Sequence, residues 1–265
     1  GDQGHLTARR ANYQKDNLEA PEIIYNPDLK QYYLFVSYDP LMTTYNVRVG
    51  RSDKAEGPFV DFSGVELKDT TNNFPMLTAP YLFHNHPGWA GTAHCSVFTS
   101  DEGQYFMAHQ GRLSPHNQMM DLHLRQVFFT PDGWPVVSPE RYTGSVSRKF
   151  SAEDMAGEWE VIRIQEPAYE RRLQAGQILW GEGQLKEEEW NVSHLLSLEK
   201  NGHLGENKGT WELLEAKQLL SLTLEGEIIN NLIIFAGHDW ENEKETVLFT
   251  GLDSCGRSIW GKRIK

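Results

Sequence analysis

Cysteine is nearly absent: Cys95 and Cys255 are the two in 265 residues. They lie far apart, without metal or redox spacing, which excludes a disulfide framework and a zinc cluster and leaves two inert thiols as the expectation. Long apolar runs are missing as well. No stretch reaches the ~18 residues needed to cross a bilayer, and the opening GDQGHLTARRANY carries no apolar signal core. Positive charge is scarce, with 25 Lys and Arg against 37 Asp and Glu and a formal charge of −12. A surface of that sign has no general attraction for phosphate backbones or anionic lipid, so neither nucleic acid nor membrane is expected as a partner. What is abundant is apolar and aromatic: 39% hydrophobic residues support one large core or two modest ones, and 8 Trp, 10 Tyr and 12 Phe offer flat faces that suit sugars but more often fill cores. Composition permits a carbohydrate ligand without arguing for one.

From residue 20 to about 143 the chain reads as short strands with turns between them: PEIIYN, QYYLFVSYD and YNVRVGRS, then AHCSVFTS, QYFMAHQG and LHLRQVFFT. These runs are rich in Tyr, Val, Ile and Phe and too short for ordinary helices, and Asp101-Glu102-Gly103 and Pro131-Asp132-Gly133 mark turns. Two four-stranded units of this size, each unable to close its own apolar face, suggest propeller blades. Two blades cannot close a ring, since small propellers have about four or more. Either further blades lie N-terminal to this sequence or the fold is another all-β sandwich. The strand pattern lapses between Thr143 and Met155, where Ser151 with Glu153 and Asp154 offers a helix cap. The expected division is therefore 1–145 and 146–265. In the second part EWEVIRI, QILWGEG, GTWELLE, LLSLTLE, NLIIFAGHDW, TVLFTGLD and SIWGKRI predict an antiparallel barrel or sandwich, and the charged LKEEEWNVSHLLSLEK reads as surface.

The segment Leu18-Glu19-Ala20-Pro21-Glu22-Ile23-Ile24-Tyr25 is similar to the general-acid motif of glycoside hydrolase family 43. YYLFVSYD, YNVRVGRS, EGPFVD, PGWAGTAHCSVF, TPDGWPVVSPERY, MAGEWEVI and FTGLDSCGRSIWGKRI resemble, in order, the arabinanases of that family that carry a C-terminal β-domain. The resemblance implies a five-bladed propeller, incomplete in this sequence, followed by an accessory barrel. It also implies hydrolysis of α-1,5-L-arabinofuranosidic bonds with inversion, and secretion, since the substrate is a polymer. Exo-action, a related xylan or arabinoxylan substrate, and a noncatalytic carbohydrate-binding role are the competing readings.

By the same resemblance Glu19 is the general acid, and His94, in GTAHCSV, reaches a metal at the channel axis. That metal is expected to be one calcium ion held mostly by water, because calcium prefers oxygen ligands. Pro21 should push Ala20 to extended geometry, and strand alternation should put Glu19 and Glu22 on opposite faces, with Glu22 a surface carboxylate. Trp89, in a Pro-Gly-rich loop five residues before His94, is the candidate sugar platform. His109, Arg112 and Asp39 are expected to be structural rather than channel-lining, and Arg48 and Arg51 to anchor contacts through carboxylates. Inversion needs a second carboxylate as base, about 6.5–9.5 Å from the acid. The family carries that base and a pKa-tuning Asp before the acid, and neither Asp2 nor Asp16 sits in a matching context. Sequence reasoning thus expects no activity from this chain alone, and a partner in an N-terminal propeller fragment.

Overall fold

The computed structural model describes residues 4–9, 18–69, 74–146, 148–165, 184–224 and 226–265. Asp2, Asp16 and the candidate strand QILWGEG lie outside them. The fold is all-β apart from short helical turns. Strands β1 (Leu18–Asn26), β2 (Gln31–Tyr38), β3 (Asn46–Ser52) and β4 (Met76–Thr78) form an antiparallel sheet in that order. The β1–β2 hairpin is fixed by Asn26, whose Oδ1 accepts from the backbone N–H of Asp28 at 3.0 Å and of Leu29 at 3.1 Å, the local bonding that favours Asn in turns. Along β2 alternate side chains serve two cores: Tyr33 and Phe35 join the large core facing the second sheet, and Leu34, Val36 and Tyr38 a smaller one behind.

The second sheet holds β5 (Tyr81–Leu82), β6 (Trp89–Ala90), β7 (Ser96–Thr99), β8 (Tyr105–Leu113), β9 (Asp121–Phe129) and β10 (Pro135–Val137). Its hairpins turn where the sequence marks them, with Gly103 at φ 79° and Gly133 at φ 84°, backbone that favours glycine. The unit is larger than the four strands expected, because β6 and β7 share one side of β8, pairing with its later and earlier halves.

After β10, the helical turn α1 (Ala152–Met155) starts at Ser151, which exchanges hydrogen bonds with Asp154 as a capping box. There follow β11 (Gly157–Arg163), β12 (Asn191–Val192), β13 (His194–Leu198), β14 (His203–Leu204), β15 (Gly209–Leu214), β16 (Leu219–Leu224), β17 (Glu227–Asp239), β18 (Lys244–Leu252) and β19 (Ser258–Arg263). All of these but β12 close an antiparallel eight-stranded barrel, β11 bonding both β13 and β19. Of the two alternatives left open by the sequence, barrel and sandwich, the barrel forms. β12 leaves it and pairs in parallel with β5, so the expected division at 145/146 is crossed by one strand. The charge run is not wholly surface either, since Glu189 is buried and its carboxylate accepts from the Lys186 N–H at 2.8 Å.

Alternation on the barrel strands splits its side chains between two cores. Trp159 and Ile259 point inward with Phe249, while their neighbours Ile162 and Trp260 point out and join the core of the sheets. Trp260 meets the edge of Tyr81 at 5.4 Å between ring centres. Burial of such a side chain is worth roughly 1.5–3 kcal/mol, so the barrel is packed onto the sheets rather than tethered to them.

Candidate active site

β1 carries an irregularity that decides where its carboxylates point. Glu19 pairs with Ser37 and Glu22 with Phe35, so three steps on β1 match two on β2 and one residue is extra. Ala20 takes up the excess at φ 49°, a left-handed conformation rather than the extended one expected before proline. The inserted residue reverses the strand parity. Ser37 and Phe35 share a face, and Glu19 and Glu22, paired opposite them, share it too. The expectation of opposite faces is therefore corrected by a single bulge. Nor is Glu22 a free surface group: its Oε1 accepts from the Val97 N–H at 3.0 Å and from Ser96 Oγ at 3.2 Å, tying β1 to β7.

His94 lies in the gap between β6 and β7, where the partner of β8 changes. The strand expected from residue 93 begins at Ser96, and His94 sits at φ 56° with its N–H donating to Ser37 Oγ at 2.9 Å. The turned backbone leaves the imidazole exposed and buries Cys95 beneath it. Tyr45 joins the two candidates: its hydroxyl donates to Glu19 Oε1 at 2.6 Å and lies 3.4 Å from His94 Nδ1. Burial first, then the bond to Glu19, pushes the phenol far above its usual range, so it keeps its proton. That one proton is given to Glu19, which leaves the hydroxyl as an acceptor toward His94. His94 Nδ1 can then donate to that oxygen when it carries a proton. Beside them an open groove of about 790 Å³ runs past Pro21, His94, Ser96 and Gln110 toward Met120 and Leu122. Met120 and Leu122 are largely exposed.

Trp89 does not join this group. It is 5% exposed, stacked on His86 at 5.5 Å and met edge-on by His123 at 4.4 Å. The sugar platform expected there gives way to a packing role, because β6 turns the indole into the core. His109 is buried, with Arg125 Nε 3.0 Å from its Nε2 and Gln110 O 2.7 Å from its Nδ1, and burial lowers its pKa to about 3, so it is a neutral structural group. Arg112 donates to Asn117 O at 2.8 Å and holds a loop. Arg48 lies 3.6 Å from Asp39, both buried, as an anchoring pair. Arg51 instead donates to the Asp132 carbonyl at 2.7 Å and lies over the Trp134 ring at 4.3 Å, so its anchor is not a carboxylate. Sequence reasoning missed Tyr45 and Ser37. Ser37 is found by cross-strand register, as the partner of Glu19, whereas Tyr45, one residue before β3, is found only by its side-chain contacts.

Among the described residues, the group of three acids within metal-binding reach of one another is Glu140, Asp239 and Glu241, away from His94. Its centre is taken by the Lys262 ammonium, 3.0 Å from Glu140 and 3.0 Å from Asp239 and also bonded to Glu241.

Two β-sheets are thus packed on a closed antiparallel barrel, and a carboxylate on the outer strand shares a buried phenol with an imidazole. Residues 7–135 match the glycosyl hydrolases family 43, and residues 139–261 match the C-terminal lipocalin-like domain that accompanies it. The chain belongs to glycoside hydrolase family 43. It is 26% identical to the extracellular endo-α-(1→5)-L-arabinanase 2 of Bacillus subtilis (strain 168), over 93% of this chain and 53% of that protein. It is 27% identical to the extracellular endo-α-(1→5)-L-arabinanase of Thermotoga petrophila, over 94% of this chain and 53% of that protein. The crystal structure of an endo-1,5-α-L-arabinanase from Thermotoga petrophila RKU-1 superposes with a TM-score of 0.80 at 24% identity, covering 97% of this chain and 57% of that one. A family 43 protein from Bacillus licheniformis gives 0.80 at 23% identity, over 95% and 56%. The chain spans about half the length of the curated relatives it matches. Among the described residues no helix is long and apolar enough to cross a membrane.

Proposed function

We propose that this chain is the part of a secreted, inverting endo-α-1,5-L-arabinanase that supplies the general acid, with Glu19 in that role. The observation that carries the reading is the single Tyr45 hydroxyl bound to Glu19 and in contact with His94. A proton donor must be oriented toward the leaving oxygen, and a phenol that cannot ionise fixes one carboxyl oxygen while the other stays free to act. Non-glycine residues at positive φ on both sides, Ala20 and His94, are the kind of backbone strain that gathers at functional sites. In this reading the two sheets are blades of a five-bladed propeller and residues after about 145 form the accessory domain. The base and the pKa-tuning Asp come from an N-terminal part. Endo-cleavage of arabinan and an extracellular location follow the names of the Bacillus and Thermotoga relatives.

His94 would be this chain's ligand to a calcium ion through Nε2, with water and groups beyond the chain completing the coordination. Bound there, the ion would supply a fixed positive charge beside the reacting carboxyls. The chain's own residues bind and aim: Tyr45 holds Glu19, Ser37 holds the His94 backbone, and Glu22 fixes β1 to β7.

The test is product release from linear arabinan by the chain alone and by the chain combined with the N-terminal propeller region. The chain alone should release nothing. The combination should release arabino-oligosaccharides whose first-formed anomer is inverted, as read by NMR. Glu19→Gln should lower the rate roughly a hundred- to ten-thousand-fold, and Tyr45→Phe by less. Turnover indifferent to Glu19→Gln would remove the reading.

A further inference from the structure

The barrel interior changes character along its axis. Near one end, inward positions that are apolar deeper in the barrel become polar at the strand ends: Val161 is followed by Arg163, Leu196 is preceded by His194, and Ile229 by Glu227. A cavity of about 920 Å³ opens among them. Val161 and Leu224 are half-buried at its surface, whereas Leu222, Ile229 and Ile259 are buried beneath. Half-exposed inward side chains in a closed eight-stranded barrel mark unfilled space, and barrels of this size hold at most one small ligand.

The rim carries charge without a surplus. Arg163 lies 2.9 Å from Glu227 and 3.7 Å from Asp253, and Lys208 lies 2.8 Å from Glu206. A mouth whose cations are already paired does not select an ion, yet it keeps donors and acceptors for hydroxyl groups. Trp190 forms the remaining wall, half-buried, and its ring is backed by Gly88, where a Cβ would lie 2.6 Å from the indole. The indole is therefore held rigidly against the blade sheet.

We propose that this barrel mouth binds a neutral oligosaccharide. The C–H face of a sugar ring rests on Trp190, Val161 and Leu224, and its hydroxyls bond Arg163, Glu227 and the exposed Gln165. The choice of arabinan as that saccharide rests on the function proposed above, whereas the site itself does not.

The experiment measures binding of α-1,5-arabinohexaose, xylohexaose and the neutral amphiphile octanol to the intact chain by calorimetry, with retardation in gels containing linear arabinan as a second readout. Arabinohexaose affinity should fall at least tenfold in Trp190→Ala and in Arg163→Ala. Arg163→Ala guards against misfolding, because Asp253 keeps Arg257 at 2.6 Å and Glu227 keeps Ser254 at 2.9 Å when the guanidinium is removed. If Glu19→Ala abolishes binding and the barrel variants do not, the sugar occupies the open groove: the barrel site is refuted and the function above survives. Xylohexaose bound in place of arabinohexaose upholds the saccharide site and sinks the arabinan reading. Octanol bound with neither sugar, or no binding at all, overturns the proposal.

Discussion

The barrel and the first sheet are made from strands of the same kind, yet they end differently. In the barrel β11 bonds a neighbour on each side, so no strand is left at an edge, and part of the outward face, at Ile162 and Trp260, is covered by the sheets. The first sheet ends at β1, and that terminal strand carries Glu19, an exposed carboxylate bonded to a buried phenol. Polar groups that complete the architecture are therefore buried and mutually paired, while those fit for chemistry stand at a margin. Lys262 and Glu19 are the two extremes. Lys262 is fully buried among Glu140, Asp239 and Glu241, with its Nζ 3.9 Å from the centre of the Phe83 ring.

The largest effect expected from that contrast is on stability. Lys262→Met removes the ammonium from the buried acid groups of Glu140, Asp239 and Glu241 and should cost roughly 3–5 kcal/mol, the usual loss when one partner of a buried ion cluster is removed. Glu19→Gln, at an exposed margin, should stay within about 0.5 kcal/mol. Urea titration of both variants checks the pair. A Lys262→Met protein as stable as the parent would break the comparison, because the cluster would then be contributing nothing to the attachment of barrel to sheets.

The two regions also differ in how far the sequence reveals them. Hairpins were legible because their turns have local chemistry, in Asn26, Gly103 and Gly133, and most of the longer barrel strands because their alternation holds over five or more residues, β17 being interrupted where Ile229 and Leu232 both face inward. The bulge at Ala20 was not legible: one extra residue brings Glu19 and Glu22 to the same face, and no propensity of Ala-Pro announces it. Glu19 was singled out by resemblance alone, while its hydrogen-bond partner Tyr45, one residue before β3, emerges only from contact in space. The Lys262 cluster draws on residues as far as 122 positions apart, beyond any periodic pattern. Trp89 illustrates the opposite failure, a loop aromatic whose neighbours in sequence suggest exposure and whose neighbours in space bury it.

The same cluster predicts how stability varies with pH. Burial, reinforced by Glu241 and opposed by Lys262, raises the Glu140 pKa from 4.5 to about 8. Three carboxylates share one ammonium, so one of them is better kept neutral. Below about pH 4.5 the folded and unfolded chains both hold this proton. Between there and about pH 8 the folded chain alone holds it, so the stabilisation is lost as pH rises through that window. Asp239, lowered mainly by Asn242 and Lys262 against its burial, acts below that window and in the opposite sense. Melting temperatures at pH 5.5 and 8.5 should therefore fall more in the parent than in Glu140→Gln, by about 2–4 °C for each kcal/mol of difference. Equal falls would show that the proton is not held at Glu140.

The smallest effect reverses the contrast and so sharpens it. The reactive thiol should belong to the barrel region: Cys255 is exposed, whereas Cys95 is buried under His94 and its pKa is pushed up to about 12, chiefly by burial. A thiolate is the reacting form, so Cys95 is doubly protected. Under native conditions a disulfide reagent should label Cys255 rapidly and Cys95 only on denaturation, with Cys255→Ser leaving a protein inert to the reagent. Slow labelling of Cys95 in that variant would measure opening of the ground beneath the groove, since reaction then requires local unfolding. Labelling as fast as that of Cys255 would mean that the margin bearing Glu19 and His94 is loose as well as exposed, and a carboxylate on a loose margin cannot be held in aim by Tyr45.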